Sequence, residues 1–319
     1  MIARPRPLLV PSTVARAAAQ GWTKRQVQQA VADGRLRRVL RGVYVDASVP
    51  DSTELRAEAA ALVLPARMVV CDRSAAWLHG VDHWDPSDLD VPPVLDVVAR
   101  HGTRTRLRGT HGALRTLAAE DVVVLDGGVV VTTPLRTAAD LACQRGRLGA
   151  AAVLDQFARH HRITEADLRR LLLRLGGRRG VTQLRELAAC ISPLAESPAE
   201  SWLRRLVLDH QLPLPTPQVE VELPEGCFRL DLAYQHLRVA VEYDGEEHHT
   251  TAADRARDQA RRAALARAGW IVVVVRKDGL RGPGLDAWVA DLRAAVAERS
   301  RPASPRFARG EGAGVHRRR

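Results

Sequence analysis

Apolar residues recur at helical spacing near the start of the chain and at strand spacing just after it. In STVARAAAQGWTKRQVQQAVADG, residues 12–34, the pattern predicts a helix, a tight turn at Gly21 and a second helix. Thr23 is placed to cap that second helix, Val27 and Val31 share one face, and Gly34 stops it. The next stretch, RLRRVLRGVYV, interleaves Leu36, Val39, Leu40, Val43 and Tyr44 with Arg37, Arg38 and Arg41, which predicts β structure with a basic face.

The middle of the chain alternates between the two periods. Residues 54–64 and 73–79 predict helices, VLDVVA at 94–99 a strand, and DVVVLDGGVVVTT a hairpin around Asp126-Gly127-Gly128. Thr133 and Pro134 supply a cap and a first-turn proline for the helix PLRTAADLACQ. Further helices are expected at about 147–160, 164–175 (capped by Thr164) and 181–190, with a linker at CISPLAESP. This gives a mixed α/β middle region over 49–189 whose residues suggest no chemistry. His79 and His83 are split by Gly80 and a loop, which spoils helical metal-ligand geometry, while His160 and His161 at a helix end suit cation caps.

From Pro198 onward the order is helix (198–210), strands at 218–223, 228–234 and 237–243, helix (253–268), strand (270–276) and helix (284–298). If FRLDLAY and LRVAVEYD form a hairpin turning at Gln235 and His236, Tyr234 opposes Leu237 and Asp231 opposes Ala240. One face then carries Leu230, Leu232, Val239 and Val241, and the other Asp231, Ala233, Ala240, Glu242 and Asp244.

Charge changes this picture at the two ends. The formal net charge is +11, of which residues 1–48 hold +7 and residues 299–319 hold +6, leaving −2 between them. Clustering of this kind suits a polyanion partner. Together with the predicted elements it gives a winged helix-turn-helix over 1–48, with Thr23, Lys24, Arg25 and Gln28 on the second helix and Arg37, Arg38 and Arg41 in the wing as the DNA contacts. Solvated arginines on an ordinary helical hairpin are the plainer reading of the same residues. The Pro/Gly/Arg/Ser tail at 299–319 is expected to be disordered.

Other classes fall away. No run of 18 apolar residues exists, and the start of the chain breaks its apolar residues with proline and arginine, so a cytoplasmic location without membrane contact is expected. Cys71, Cys143, Cys190 and Cys227 stand too far apart for a zinc knuckle and suit reduced thiols. No GxSxG or HExxH motif occurs, and GLRGPG at 279–284 reads as a turn.

The carboxylate face is the one stretch that calls for chemistry. Two carboxylates about 5 Å apart repel by about 3 kcal/mol at an effective dielectric of about 20, so a third nearby requires protonation or a cation. An all-oxygen set suits Mg²⁺ or Mn²⁺ and could activate water against a phosphodiester. The plainer alternative is the solvated face of an amphipathic hairpin.

The acids and their surroundings, Asp231, then VEYDGEEHH, then RDQARRAALARAGWIVVVVR, resemble the PD-(D/E)XK nuclease order in the variant related to very-short-patch-repair (Vsr) endonucleases, over about 190–298. GWTKRQVQQAVADGRLRRVLRGVYV, and later VVVTTPLRTAADLA, resemble the AbiEi antitoxin and abortive-infection family, more clearly over 1–48 than over the middle. The first resemblance implies a restriction-endonuclease-like αβββαβ domain holding Mg²⁺ on Asp231 and Glu242, with Asp244 as a further acid of the site, standing where the general pattern has lysine. It further implies His248 as the catalytic histidine, with His249 as the second choice. Glu200 matches the acidic residue of the first helix, and it equally completes a capping box with Ser197. The leading expectation is therefore a multidomain α/β DNA-binding protein with a metal-dependent endonuclease domain. The alternative is an antitoxin-like regulator, with DNA and a toxin as partners, whose nuclease-like domain is inactive.

Overall fold

The computed structural model describes residues 5–81, 94–99, 110–113, 115–245 and 252–301, and of residues 252–255 the backbone alone. The chain is a multidomain mixed α/β protein that divides into two compact units, Met1–Leu206 and Val207–Arg319.

The first unit opens with β1 (Ser12–Thr13), α1 (Val14–Ala18), α2 (Lys24–Ala32), β2 (Leu36–Leu40) and β3 (Val43–Asp46). Gly21 at φ +88° makes the turn between the helices, and Gly42 at φ +83° makes the turn of the β2–β3 hairpin. Thr23 caps α2 in a full capping box with Gln26. The three strands form a sheet in the order β1-β3-β2, and Leu8, Ala17, Trp22, Val27, Ala30 and Leu36 bury the helices against it.

There follow α3 (Thr53–Ala61), β4 (Met68–Val70), α4 (Asp72–Leu78), β5 (Leu95–Ala99), β6 (Thr110–Ala113), β7 (Val122–Val124) and β8 (Val130–Thr132). Their five strands make a mixed sheet in the order β6-β5-β4-β8-β7. The β7–β8 hairpin turns through Gly127 and Gly128, both with positive φ. Helices α5 (Pro134–Gln144), α6 (Arg147–His161), α7 (Glu165–Leu172) and α8 (Val181–Ala188) then build a core around Leu141, Leu154, Phe157, Leu168 and Leu184. Thr133 and Thr164 cap α5 and α7.

The histidine caps expected at the end of α6 need correcting at His161. Its Nε2–H donates to the backbone carbonyl of His79 (2.9 Å), and burial pushes its pKa down, which disfavours the cation. His79 in turn donates from Nε2 to the Thr132 carbonyl (2.7 Å), and His83 lies outside the described residues. All four cysteines are free thiols.

Helix α9 (Pro198–Asp209) runs from the first unit into the second. Its first half belongs with the helical core: buried Arg204 donates to both oxygens of Asp155 on α6, at 2.9 and 2.8 Å. The second unit contains β9 (Thr216–Leu223), β10 (Gly226–Tyr234), β11 (Val239–Tyr243), α10 (Ala252–Arg267), β12 (Ile271–Val275) and α11 (Gly282–Ser300). The sheet order is β12-β11-β10-β9, with β11 and β12 parallel and the other pairs antiparallel.

The β10–β11 register differs from the sequence expectation by two residues. Tyr234 pairs with Val239 and Ala233 with Ala240, because Gln235–Leu237 form a 3₁₀ turn and Arg238 adopts a left-handed conformation (φ 52°). The chain spends two more residues on the turn than a tight hairpin would. An even shift keeps Asp231 and Glu242 on one face, since side-chain direction repeats every two residues, although Leu230 joins the cluster of Ala233 and Ala240 and not the face expected for it. Asp231 thereby moves one step beyond the Leu232–Val241 pair, to the level of Glu242.

Candidate functional site

The N-terminal basic face and the C-terminal carboxylate group are the two candidates. On the first, α2 begins at Lys24 because Thr23 and Gln26 satisfy each other's backbone groups: Gln26 N–H donates to Thr23 Oγ1 (3.2 Å), and Thr23 N–H donates to Gln26 Oε1 (2.7 Å). Thr23 is therefore occupied as a cap, while Lys24, Arg25 and Gln28 are exposed on the first turns of the helix. In the hairpin, Arg38 and Arg41 are exposed, with the Arg38 guanidinium 5.7 Å from the centre of the Tyr44 ring. Arg37 points elsewhere. It donates to the Val49 carbonyl (3.1 Å) and lies 3.8 Å from Asp51, which makes it a brace between the hairpin and the following segment.

In the second unit β10, β11 and α10 bring the acids together with arginines. Asp231 Oδ2 accepts the backbone N–H of Tyr243 (2.9 Å), tying β10 to β11 at the level of the acids. Glu242, buried, gives both carboxylate oxygens to Arg261 of α10, one of them at 2.9 Å, and the same guanidinium reaches the Arg229 carbonyl (3.0 Å). This pairing holds the Arg261 pKa above its ordinary value. Asp244 Oδ2 lies 3.4 Å from Arg262 and 3.3 Å from Arg276. The helix can lie this close because Ala233 and Ala240 present only methyl groups beneath it, packed with Leu265 and Trp270.

The cation that the three acids require is thus supplied by guanidinium groups. Arranged this way they do not fit a divalent ion: Glu242 has both oxygens engaged, and a metal there would have to displace Arg261. Among the described residues, no group of three or more His, Cys, Asp or Glu side chains is arranged to hold a metal. His248 and His249 lie outside the described residues. Glu200 sits in the first unit and performs the capping role: its carboxylate accepts from Ser197 Oγ (3.0 Å) and from the Glu196 N–H (2.9 Å), and Ser197 Oγ accepts the Glu200 N–H (3.3 Å).

Sequence analysis assigned no partner to the acids from Arg261, Arg262 or Arg276. The signal for Arg261 and Arg262 was the spacing on α10, which sets both one turn beyond Arg257 and Asp258 on the helix that follows the acidic strand. It missed altogether a second gathering of charge in the first unit, where Arg115, Arg136 and Arg178 converge on the fully buried carboxylate of Asp140.

Comparison with known proteins places the recognisable family signal in this same region. Residues 68–189 match the family described as AbiEi antitoxin C-terminal domain. The match supports the AbiEi resemblance read from the sequence, and it falls on the middle of the chain, the part that holds VVVTTPLRTAADLA. Two proteins of Mycobacterium tuberculosis strains, the uncharacterized proteins MT2308 and Rv2248, are each 31% identical over 271 residues, covering 82% of this chain and 93% of theirs.

Proposed function

Because the chain belongs to the family of these two mycobacterial proteins and carries a match to the AbiEi antitoxin C-terminal domain, we propose that it is a DNA-binding regulator of antitoxin type whose C-terminal domain does not hydrolyse DNA. The match over 68–189 is the observation that carries this reading. The N-terminal elements supply a winged-helix mode of DNA contact: α2 offers Lys24, Arg25 and Gln28 from its first turns, where a recognition helix meets base edges, and the hairpin offers Arg38 and Arg41 to the phosphates. A toxin is the protein partner that an antitoxin implies. In the C-terminal domain, the salt-linked state of Glu242 supports a binding or scaffolding role over metal-dependent hydrolysis.

The test pairs DNA binding with cleavage. Purified protein is titrated onto duplex DNA from the region flanking its gene at several salt concentrations. The Lys24→Ala, Arg25→Ala, Arg41→Ala triple variant is expected to bind at least about tenfold more weakly and with a shallower salt slope, having lost phosphate or base contacts. Supercoiled plasmid incubated with Mg²⁺ or Mn²⁺ is expected to stay intact. Metal-dependent nicking abolished by Asp231→Ala would reverse the conclusion in favour of a PD-(D/E)XK nuclease, the reading supported by two carboxylates at one level on adjacent strands.

A further inference from the structure

The first unit contains a cavity of about 1170 Å³ whose lining includes six arginines, Arg115, Arg136, Arg145, Arg174, Arg178 and Arg179, and one carboxylate, Asp121. Four of these arginines are held in place by carboxylates, one of which, Asp121, itself lines the cavity. Asp72 and Asp140 hold Arg115 (2.9 and 2.5 Å), Asp121 and Asp140 hold Arg136 (2.6 and 2.9 Å), Glu120 and Asp121 hold Arg174 (3.2 and 3.0 Å), and Asp140 holds Arg178. Their guanidinium planes are therefore pre-oriented, which lowers the entropy lost when a further anion binds. Arg179 stands exposed at the rim, and Arg145 carries its charge against both burial and the nearby positive charge of Arg73, which lower its pKa.

A second feature converges on the same space. Gly180, the N-cap of α8, lines the cavity with a left-handed φ of +83°, and a Cβ at that position would come within 2.1 Å of the Cys143 carbonyl oxygen. The close approach excludes Ser, Thr, Asp or Asn there, so no side-chain cap satisfies the first N–H groups of α8. Gln183 in the first turn anchors that helix end by donating to the Ala142 and Arg145 carbonyls, at 2.8 and 3.0 Å. The positive end of α8 and the arginines thus share one cavity.

From this arrangement we infer that the cavity is a binding site for an oligophosphate anion, recognised through its phosphate groups. The site takes a small ligand and not a duplex backbone, because Arg136 is only 5% exposed and Arg115 only 13%, so an anion must enter the cavity to meet them. The volume accommodates a triphosphate with an attached group. Among the described residues the lining contains no aromatic side chain, so charge-assisted hydrogen bonds to the phosphates supply the affinity.

The experiment uses the full chain and inorganic triphosphate as probe, at constant ionic strength, with binding followed by calorimetry and by the thermal midpoint. Wild type is expected to bind saturably, and adenosine, lacking phosphate, is expected not to bind. Arg145→Ala with Arg179→Ala is expected to weaken triphosphate binding at least about tenfold, since each lost guanidinium removes a charge-assisted contact. Arg169→Ala, which removes an arginine of α7 outside the cavity lining, is expected to bind like wild type. Should the double variant lose its folded midpoint without ligand, the exposed Arg179→Ala alone serves. Absence of saturable binding, or equal binding by all variants, overturns the site. A double variant that keeps triphosphate affinity but loses DNA affinity also overturns it, and gives the rim arginines to the DNA backbone.

Discussion

Arginine meets carboxylate in both units, and the two meetings differ in how far water reaches them. In the first unit, Asp140 has a fully buried side chain and receives Arg115, Arg136 and Arg178 from three different parts of the chain. In the second, Glu242 and Asp244 receive Arg261, Arg262 and Arg276, whose side chains are 24%, 37% and 59% exposed. Water and salt screen the second group, while the first sits where an unmatched charge is costly. The same ion-pair chemistry therefore fixes the fold in one unit and leaves a half-open, adjustable surface in the other.

Removing the common acceptor gives the largest expected effect. Asp140→Ala would leave three guanidinium groups crowded around a buried position, and breaking a buried network from one side costs about 3–5 kcal/mol. Urea titration followed by amide exchange along α5 reads this unit separately from the other, which matters in a chain with two units. A cost below about 1 kcal/mol would mean that water already reaches Asp140, and the contrast between the two groups would be lost.

Acid provides the intermediate effect, through His79, a partly buried imidazole that shares a small cavity with Glu54, Asp126 and His161. Burial lowers the His79 pKa to about 4, with the bond to the Thr132 carbonyl opposing and the nearby His161 adding to the shift. In the unfolded chain the imidazole titrates near 6.5, so between these values the unfolded state binds more protons and stability rises with pH. The contribution is complete above about pH 6.5 and is lost as the pH falls toward 4, by roughly 2–3 kcal/mol. Comparing urea midpoints at pH 7.5 and 5 for wild type and His79→Gln checks it: glutamine keeps a donor for Thr132 and removes the titration, so its pH slope should flatten. An unchanged slope would assign the acid sensitivity to other groups.

Much of this molecule could be read from sequence where a local device dictates structure. The capping residues Thr23, Thr133 and Thr164 placed α2, α5 and α7, and the alternation in β10 and β11 placed Asp231 and Glu242 on one face. The register was misjudged because it depends on how Gln235–Leu237 turn, which alternation does not encode. Strand β4, at the centre of the larger sheet, escaped notice because Met68–Val70 is too short to show a period. The arginine cavity showed one local trace, Arg136 and Asp140 one turn apart among the buried alanines and leucines of α5. Its other members lie far away in the chain: Arg115 is 43 positions from Asp72, and Arg178 is 38 from Asp140. Only the fold brings them together.

The smallest expected effect tests the open side of the contrast. Glu242→Gln removes one charge from the pair with Arg261 but keeps an oxygen acceptor on the same face, and the remaining guanidinium can turn toward water. The cost should be about 1 kcal/mol, well below that of Asp140→Ala, and should shrink as salt rises, because Arg261, 24% exposed, keeps access to water beside the buried Glu242. Thermal midpoints of wild type and Glu242→Gln at low and high salt, each with and without millimolar Mg²⁺, measure both points at once. A loss as large as that of Asp140→Ala would make the second group as structural as the first. A rise with Mg²⁺ that Glu242→Gln abolishes would show that a metal can displace Arg261, since a ligand binding only the folded state stabilises it by mass action. The acids would then be a metal site held shut by an arginine. With no such rise, Arg261 is the counterion that this carboxylate face was built around.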